Sequence, residues 1–187
     1  MTTSSVLETR RLILRPPAQE DADAWAAFMA DEEAARHIGG AQQYDIAWRG
    51  MAATAGSWTL LGFGMFSMIE KASGRWIGRL GPLRPGGDVG GWPGTEIGWG
   101  LAREAWGQGY AREGAVATMN FAVDVLGWTD IIHTIAPTNT ASQNLALRLG
   151  STNRGAGKLP PPFQDSPVDI WGQSAAQWRK RRREFDA

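Results

Sequence analysis

The chain has 187 residues, 43% of them apolar and 20% charged, which predicts one globular domain over residues 1–187 built on one hydrophobic core. It has no cysteine and two histidines, His37 and His133, which excludes disulfides, thiol nucleophiles, thiolate zinc and iron–sulfur clusters, and a histidine-rich metal site. The formal charge is +0, no apolar run reaches the roughly 18 residues of a membrane span, and Met1–Arg15 lacks the apolar block of a signal peptide, so neither nucleic acid nor membrane is an expected partner and a cytoplasmic location is expected.

Thr9–Arg15 alternates Leu12 and Leu14 against Arg11, Ile13 and Arg15, which predicts a first strand stopped by Pro16-Pro17. Glu20–Ala35 is Ala-rich with Trp25, Phe28 and Met29 at helical spacing, and predicts one helix; Asp45–Ala55 predicts a short second one. Gly64–Glu70 and Arg75–Leu80 flank a turn cluster and predict a hairpin, followed by a Gly/Pro-rich loop over Gly81–Gly94. In the strand Thr95–Leu101, Ile97, Trp99 and Leu101 share one face, and Glu96, Gly98 and Gly100 the other.

A glycine-rich turn, Trp106-Gly107-Gln108-Gly109-Tyr110-Ala111, leads into a long helix ending near Leu126. Asp130–Ala136 predicts a β-branched strand, Asn139 caps a helix running to Leu149, and Gly150 stops it. Strands near Thr152–Gly157 and Val168–Gly172 flank the loop Leu159–Phe163, and Ala175–Phe185 predicts a basic, solvated terminal helix. This order predicts an α+β fold with a mixed sheet rather than a doubly wound parallel one.

Strand, glycine turn and helix in sequence make an anion site. The glycines let backbone approach a ligand, and the first helical N–H groups have no partner within the helix. A tight turn that needs glycine for steric reasons alone would look the same. Two other phosphate motifs fail. A dinucleotide fingerprint from Gly107 would need glycine where Arg112 stands, and a P-loop ending at Gly157-Lys158 would need glycine at Thr152 and Ser or Thr at Leu159.

Glu96-Ile97-Gly98-Trp99, the turn Trp106–Ala111, and Asn139-x-x-Ser142 ahead of Leu149-Gly150 together resemble the GNAT N-acetyltransferases, in particular the RimJ/RimL-type branch, whose first strand Thr9–Arg15 also resembles. The resemblance runs from about residue 7 to 180. It implies a mostly antiparallel twisted sheet of six to seven strands flanked by helices and splayed between the fourth and fifth strands. It implies acetyl-CoA as co-substrate with no metal. Gly98, Trp99, Gly100 and Leu101 would run along the pantetheine, Trp106, Gly107, Gln108, Gly109, Tyr110 and Ala111 around the pyrophosphate, and Asn139 and Ser142 toward the thioester arm.

The same resemblance implies acetyl transfer to a primary amine by direct attack. The amine must lose its proton, and Glu96 is the candidate base; a carboxylate tied to a backbone N–H or an arginine is the structural alternative. Leu147 stands near the place where many relatives carry a tyrosine acid, which leaves Ser142 as a candidate for that role. The resemblance places the acceptor beside Ala35–Tyr44 and Leu159–Gln164, with His37, Tyr44 and Phe163 as contacts, and the stiff Pro160-Pro161-Pro162 wall suits a small amine or a single N-terminal residue of apolar character. His133 is expected to be packed or hydrogen-bonded within its strand. The competing reading is a catalytically weak CoA-binding or sensor module. Exposed tryptophans would favour a homodimer.

Overall fold

The computed structural model describes residues 6–87 and 91–185. The chain divides into two compact units: Met1–Gly81 with Trp99–Ala117, and Pro82–Gly98 with Thr118–Ala187. One mostly antiparallel sheet has the strand order β1-β2-β3-β4-β5-β6-β8-β7. Its strands are β1 (Leu7–Glu8), β2 (Leu12–Arg15), β3 (Phe66–Glu70), β4 (Trp76–Leu83), β5 (Glu96–Leu101), β6 (Asp130–Ile135), β7 (Thr152–Gly157) and β8 (Val168–Ser174). The mixed α+β architecture is as expected. The strand count of eight exceeds the expected six to seven because Leu7–Glu8 pairs with Ile13–Leu14, and a two-residue strand is too short to show alternation.

In the first unit, β2, β3 and β4 pair antiparallel, with Leu14 opposite Met68 and Phe66 opposite Leu80. The helices are α1 (Ala22–Ala30), α2 (Glu32–Ala35) and α3 (Tyr44–Leu61). The expected single helix over Glu20–Ala35 is broken at Asp31. Its backbone is extended (φ −75°, ψ 112°) and its side chain caps the N–H groups of Glu33 and Ala34. The second helix is longer than expected, because Gly50 and Gly56 are tolerated inside it and it ends only at Gly62. Strand β4 likewise takes in Gly81–Leu83 from the expected loop.

The core of this unit gathers Trp25, Phe28 and Met29 of α1 with Ala47 and Met51 of α3 against Trp76. The Trp76 ring stands 5.9 Å from that of Trp25 and 5.6 Å from that of Phe28, tilted contacts that add to area burial. Helix α4 (Tyr110–Asp124) lays Gly114 on the sheet, where a Cβ would come within 2.5 Å of Leu80 Cδ2. The small residue near the helix start thus permits close approach.

In the second unit, Glu96 of β5 pairs parallel with Ile132 of β6, the one registered parallel pair described. β6 pairs antiparallel with β8 along its length, from Asp130–Ser174 to Ile135–Asp169, and β7 pairs with β8. Helix α5 (Thr140–Leu149) is capped by Asn139, whose side chain accepts from Ser142 N, and it ends at a left-handed Gly150 as expected. The terminal helix α6 (Ala175–Arg181) is not merely a solvated basic segment. Trp178 is fully buried and donates through Nε1 to Asn120 Oδ1 at 3.0 Å. Arg182 pairs with Asp124 and Arg181 with Glu184, so the basic run is partly neutralised.

Candidate functional site

The expected site residues fall in both units, and each group is described in its own. In the first unit, Trp106–Gly109 is exposed and Tyr110, where α4 begins, is buried. Gly107 and Gly109 have φ of +71° and +80°, a conformation that side-chain-bearing residues reach only with strain. A Cβ at Gly107 would meet nothing within 4 Å, and one at Gly109 would meet only Arg11 Nη2, at 3.5 Å. The turn is therefore required by backbone conformation and not by crowding. Trp106, at the first position of the motif, donates from Nε1 to the Leu101 carbonyl at 2.8 Å and ties the turn to the end of β5.

Arg11 braces this turn. Its Nη1 donates to the Gln108 carbonyl at 3.0 Å, its Nε to Glu113 Oε2 at 2.7 Å, and its backbone N to Glu113 Oε1 at 2.8 Å. Thr9 Oγ1 adds a third donor to Glu113 at 2.6 Å. Burial pushes the Glu113 carboxyl up, but the Thr9 and Arg11 hydrogen bonds outweigh it and hold the group below the usual carboxylate range. Arg11 also lies 4.2 Å from the Tyr110 ring centroid, and Tyr110 donates its hydroxyl to Glu70. The hydrogen bond to that carboxylate raises the Tyr110 pKa.

These contacts set the charge at the helix start. A free Glu113 there would repel an anion; paired with Arg11, it leaves the partial positive charge of the helix end, about half a unit, in place. Two left-handed glycines, an exposed turn, a long helix behind it and a bracing arginine fit a diphosphate group.

In the second unit, Glu96 is 4% exposed. Its Oε1 accepts from Thr134 N at 2.9 Å and Thr134 Oγ1 at 2.8 Å, and its Oε2 from Trp92 Nε1 at 2.6 Å. Burial pushes the carboxyl above the usual range, against the pull of these three hydrogen bonds. A carboxylate offers about four acceptor positions, so one remains beyond those three. The group is held rigidly, with its basicity raised.

His133 is buried as expected. Its Nδ1 lies 2.7 Å from the Ile97 carbonyl and its Nε2 3.1 Å from Ser151 Oγ. A carbonyl can only accept, so Nδ1 carries the proton. Burial lowers its pKa to about 4, against the bond to Ile97 and helped by the charge of Arg154. These facts make it a neutral structural histidine.

The remaining expected residues belong to both units. Gly98 is half-buried in the second unit, and Trp99 and Gly100 are half-buried in the first, where Leu101 is buried. A Cβ at Gly100 would sit 2.9 Å from Phe28 Cζ, so glycine relieves crowding against α1 there. Ala111 is half-buried in the first turn of α4. In the first unit His37 is exposed, and Tyr44, also exposed, donates its hydroxyl to Asp23 at 3.0 Å. In the second unit Phe163 is exposed, Ser142 is half-buried on α5, and Leu147 is exposed on the same helix. Arg11, Glu113 and Thr134 carry no sequence signal for these contacts, because partners 38 and 102 residues apart leave no periodic trace; Trp92 is only 4 residues from Glu96 but lies in the Gly/Pro-rich loop, which has no regular spacing to point to it.

Among the described residues no group of three or more His, Cys, Asp or Glu is placed to hold a metal ion, and no helix is long and apolar enough to cross a membrane.

Residues 11–152 match the acetyltransferase (GNAT) domain, well over half of the chain, and the protein belongs to that family. An uncharacterized N-acetyltransferase, p20, of Bacillus licheniformis is 29% identical over 151 residues, covering 80% of this chain and 83% of that protein. The crystal structure of an acetyltransferase from Agrobacterium tumefaciens is similar with a TM-score of 0.77 at 28% identity, covering 91% of this chain and 95% of that one. RimL, a ribosomal L7/L12 α-N-protein acetyltransferase, is similar in fold, with a TM-score of 0.72 at 15% identity over 90% of this chain and 93% of that one. Family and fold together make the protein an acyltransferase of the N-acetyltransferase type.

Proposed function

We propose that the protein transfers an acetyl group from acetyl-CoA to the primary amine of a small acceptor or a single N-terminal residue, by direct attack. The braced turn carries this reading. Gly107 and Gly109 in left-handed conformation, ahead of a long helix and against Arg11, suit the diphosphate of CoA. When bound, acetyl-CoA supplies the acetyl group as a thioester.

Glu96 accepts the proton that the amine nitrogen gives up as the new C–N bond forms and the C–S bond breaks. Its raised pKa, a consequence of burial, improves it as a base near neutral pH, and its fourth acceptor position takes the proton directly or through water. Ser142 is the candidate to return a proton to the leaving sulfur. The lack of cysteine suits a route without an acyl-enzyme. Tyr44, His37 and Phe163 are the acceptor contacts of this reading. The RimL likeness keeps a terminal α-amine among the acceptors.

The test is release of free CoA thiol from acetyl-CoA across a panel of primary amines, with calorimetric CoA binding alongside. Amine-dependent release supports acetyl transfer. Tight CoA binding without release from any amine would favour the binding-module alternative.

A further inference from the structure

Among the described residues the parallel pairing of β5 with β6 has one registered pair, Glu96 with Ile132, and Ile132 N donates to the Thr95 carbonyl at 3.0 Å. In a regular parallel ladder the next rung lies two residues on and runs from Thr134 N to the Ile97 carbonyl. Both atoms have other partners here. Thr134 N donates to Glu96 Oε1 at 2.9 Å, and the Ile97 carbonyl accepts from His133 Nδ1 at 2.7 Å. Two side chains stand where one backbone bond would extend the ladder.

His133 is held in that place from behind. Gln173 of β8 donates from Nε2 to Ser151 Oγ at 3.0 Å and to the Leu149 carbonyl at 2.9 Å. Ser151 thereby has its own hydroxyl proton to give to His133 Nε2, 3.1 Å away. The ring proton then belongs to Nδ1, facing Ile97, the residue next to Glu96. His133, Ser151 and Gln173 are all buried, and each donor in the chain points the same way, from β8 toward β5. Burial keeps the ring neutral, and Arg154, whose charge also bears on it, is paired with Asp130. The partners of Glu96, Thr134 and Trp92, carry no charge.

Ile97 is fully buried, so its carbonyl needs a donor. With His133 gone, ladder geometry offers Thr134 N, and accepting that bond takes the backbone donor away from Glu96. We propose that His133 is a positioning residue for Glu96: by supplying the Ile97 carbonyl with a donor, it leaves the Thr134 N–H to the carboxylate and fixes where that carboxylate stands. The base role of Glu96 rests on the acetyl-transfer reading; the exchange of hydrogen-bond partners does not.

The experiment begins with heteronuclear NMR of the wild-type protein. At neutral pH His133 should be neutral and protonated at Nδ1, and the Thr134 amide resonance should follow the titration of the Glu96 carboxyl. Two variants complete it. His133→Phe fills the space and donates nothing; His133→Asn carries an amide that can donate from about the place of Nδ1. His133→Phe should uncouple the Thr134 amide from Glu96, lower kcat about 10-fold with CoA affinity unchanged, and move the acidic limb of the pH–rate profile toward higher pH, because the charged carboxylate has lost a donor. His133→Asn should restore the coupling and most of kcat.

A ring protonated at Nε2 in wild type would overturn the proposal, since Nδ1 could not then donate to Ile97; so would a Thr134 amide that ignores the Glu96 titration. Neither result needs a variant to fold. A folded His133→Phe with the coupling and the acidic limb both unmoved would also overturn it, leaving His133 a packing residue. If wild type turns over no amine at all, the acetyl-transfer reading fails, while the tautomer and the amide coupling, lost in His133→Phe and restored in His133→Asn, would still establish that His133 positions Glu96.

Discussion

Thr134 gives both of its donors to a single oxygen of Glu96, the backbone N at 2.9 Å and the hydroxyl at 2.8 Å. The arrangement fixes the carboxylate, and among the described residues no cation pairs with it, so its basicity is raised by burial and not cancelled by an ion pair. Glu96→Gln should therefore lower kcat by about 100-fold near neutral pH, in the usual range for removing a general base, with partial recovery at alkaline pH where more acceptor amine is already neutral. CoA affinity should change little. A loss of the same size at every pH would assign Glu96 a structural role.

A companion substitution separates anchoring from chemistry. Thr134→Val removes the hydroxyl donor and leaves the backbone donor in place. With one hydrogen bond fewer to its charged form, Glu96 should titrate higher, and the acidic limb of the pH–rate profile should move toward higher pH. An unmoved limb would mean that the limb reports a different group.

At the turn, Arg11 reaches the Gln108 carbonyl and Glu113 at once, which a lysine cannot do from one terminal nitrogen. Arg11→Lys keeps the charge and loses the fork. CoA affinity should fall about 10-fold, while melting changes by no more than the loss of about one charge-assisted hydrogen bond, roughly 1.5–3 kcal/mol. Gly109→Ala should weaken CoA binding as well, because φ of +80° costs an L-residue about 1–2 kcal/mol and the turn will relax. Unchanged calorimetric affinity in both folded variants would remove the turn from the CoA site.

These relationships differ in how far the sequence announces them. Gly107 and Gly109 followed by a helix, and Asn139 ahead of α5, declare themselves because glycine conformation and capping are local. The break at Asp31 was also locally encoded, by an Asp before Glu32-Glu33, but the alanine-rich run around it masks a cap inside a helical pattern. Arg11 and Glu113 lie 102 residues apart, and nothing in either neighbourhood names the other. Arg79 has the opposite difficulty. In sequence it is an ordinary arginine on a strand, and only the fold brings Trp25 and Met65 around it.

Asp21 is 2% exposed and accepts from Arg15 through both oxygens, at 2.8 Å each, from Ala18 N at 2.9 Å and from Ser67 Oγ at 2.7 Å. Burial pushes its carboxyl up, but these donors outweigh it and lower the pKa. Asp21→Ala would strand the buried Ser67 hydroxyl and remove the Arg15 counter-ion, and should cost about 3–5 kcal/mol in denaturant unfolding. Ser67→Ala, which removes one donor and leaves the ion pair intact, should cost about 1 kcal/mol. Equal losses in the two would show that the ion pair contributes little.

His133 gives the fold a distinct pH signature. In the folded chain its pKa is lowered to about 4 from 6.5, so the folded state binds fewer protons than the unfolded state between those values. The stabilisation is complete above about pH 6.5 and is lost as pH falls through about 4, amounting to about 3 kcal/mol for a shift of this size. Glu96 carries the opposite sign, since a raised carboxyl pKa gives stability that declines as pH rises. The comparison must therefore change position 133 alone. His133→Gln should be less stable than wild type at pH 7, through loss of fit to Ile97 and Ser151, and should show a shallower decline in unfolding free energy from pH 6.5 to 4. If wild type and variant decline in parallel over that interval, another group titrates there and His133 is not the acid-sensitive element.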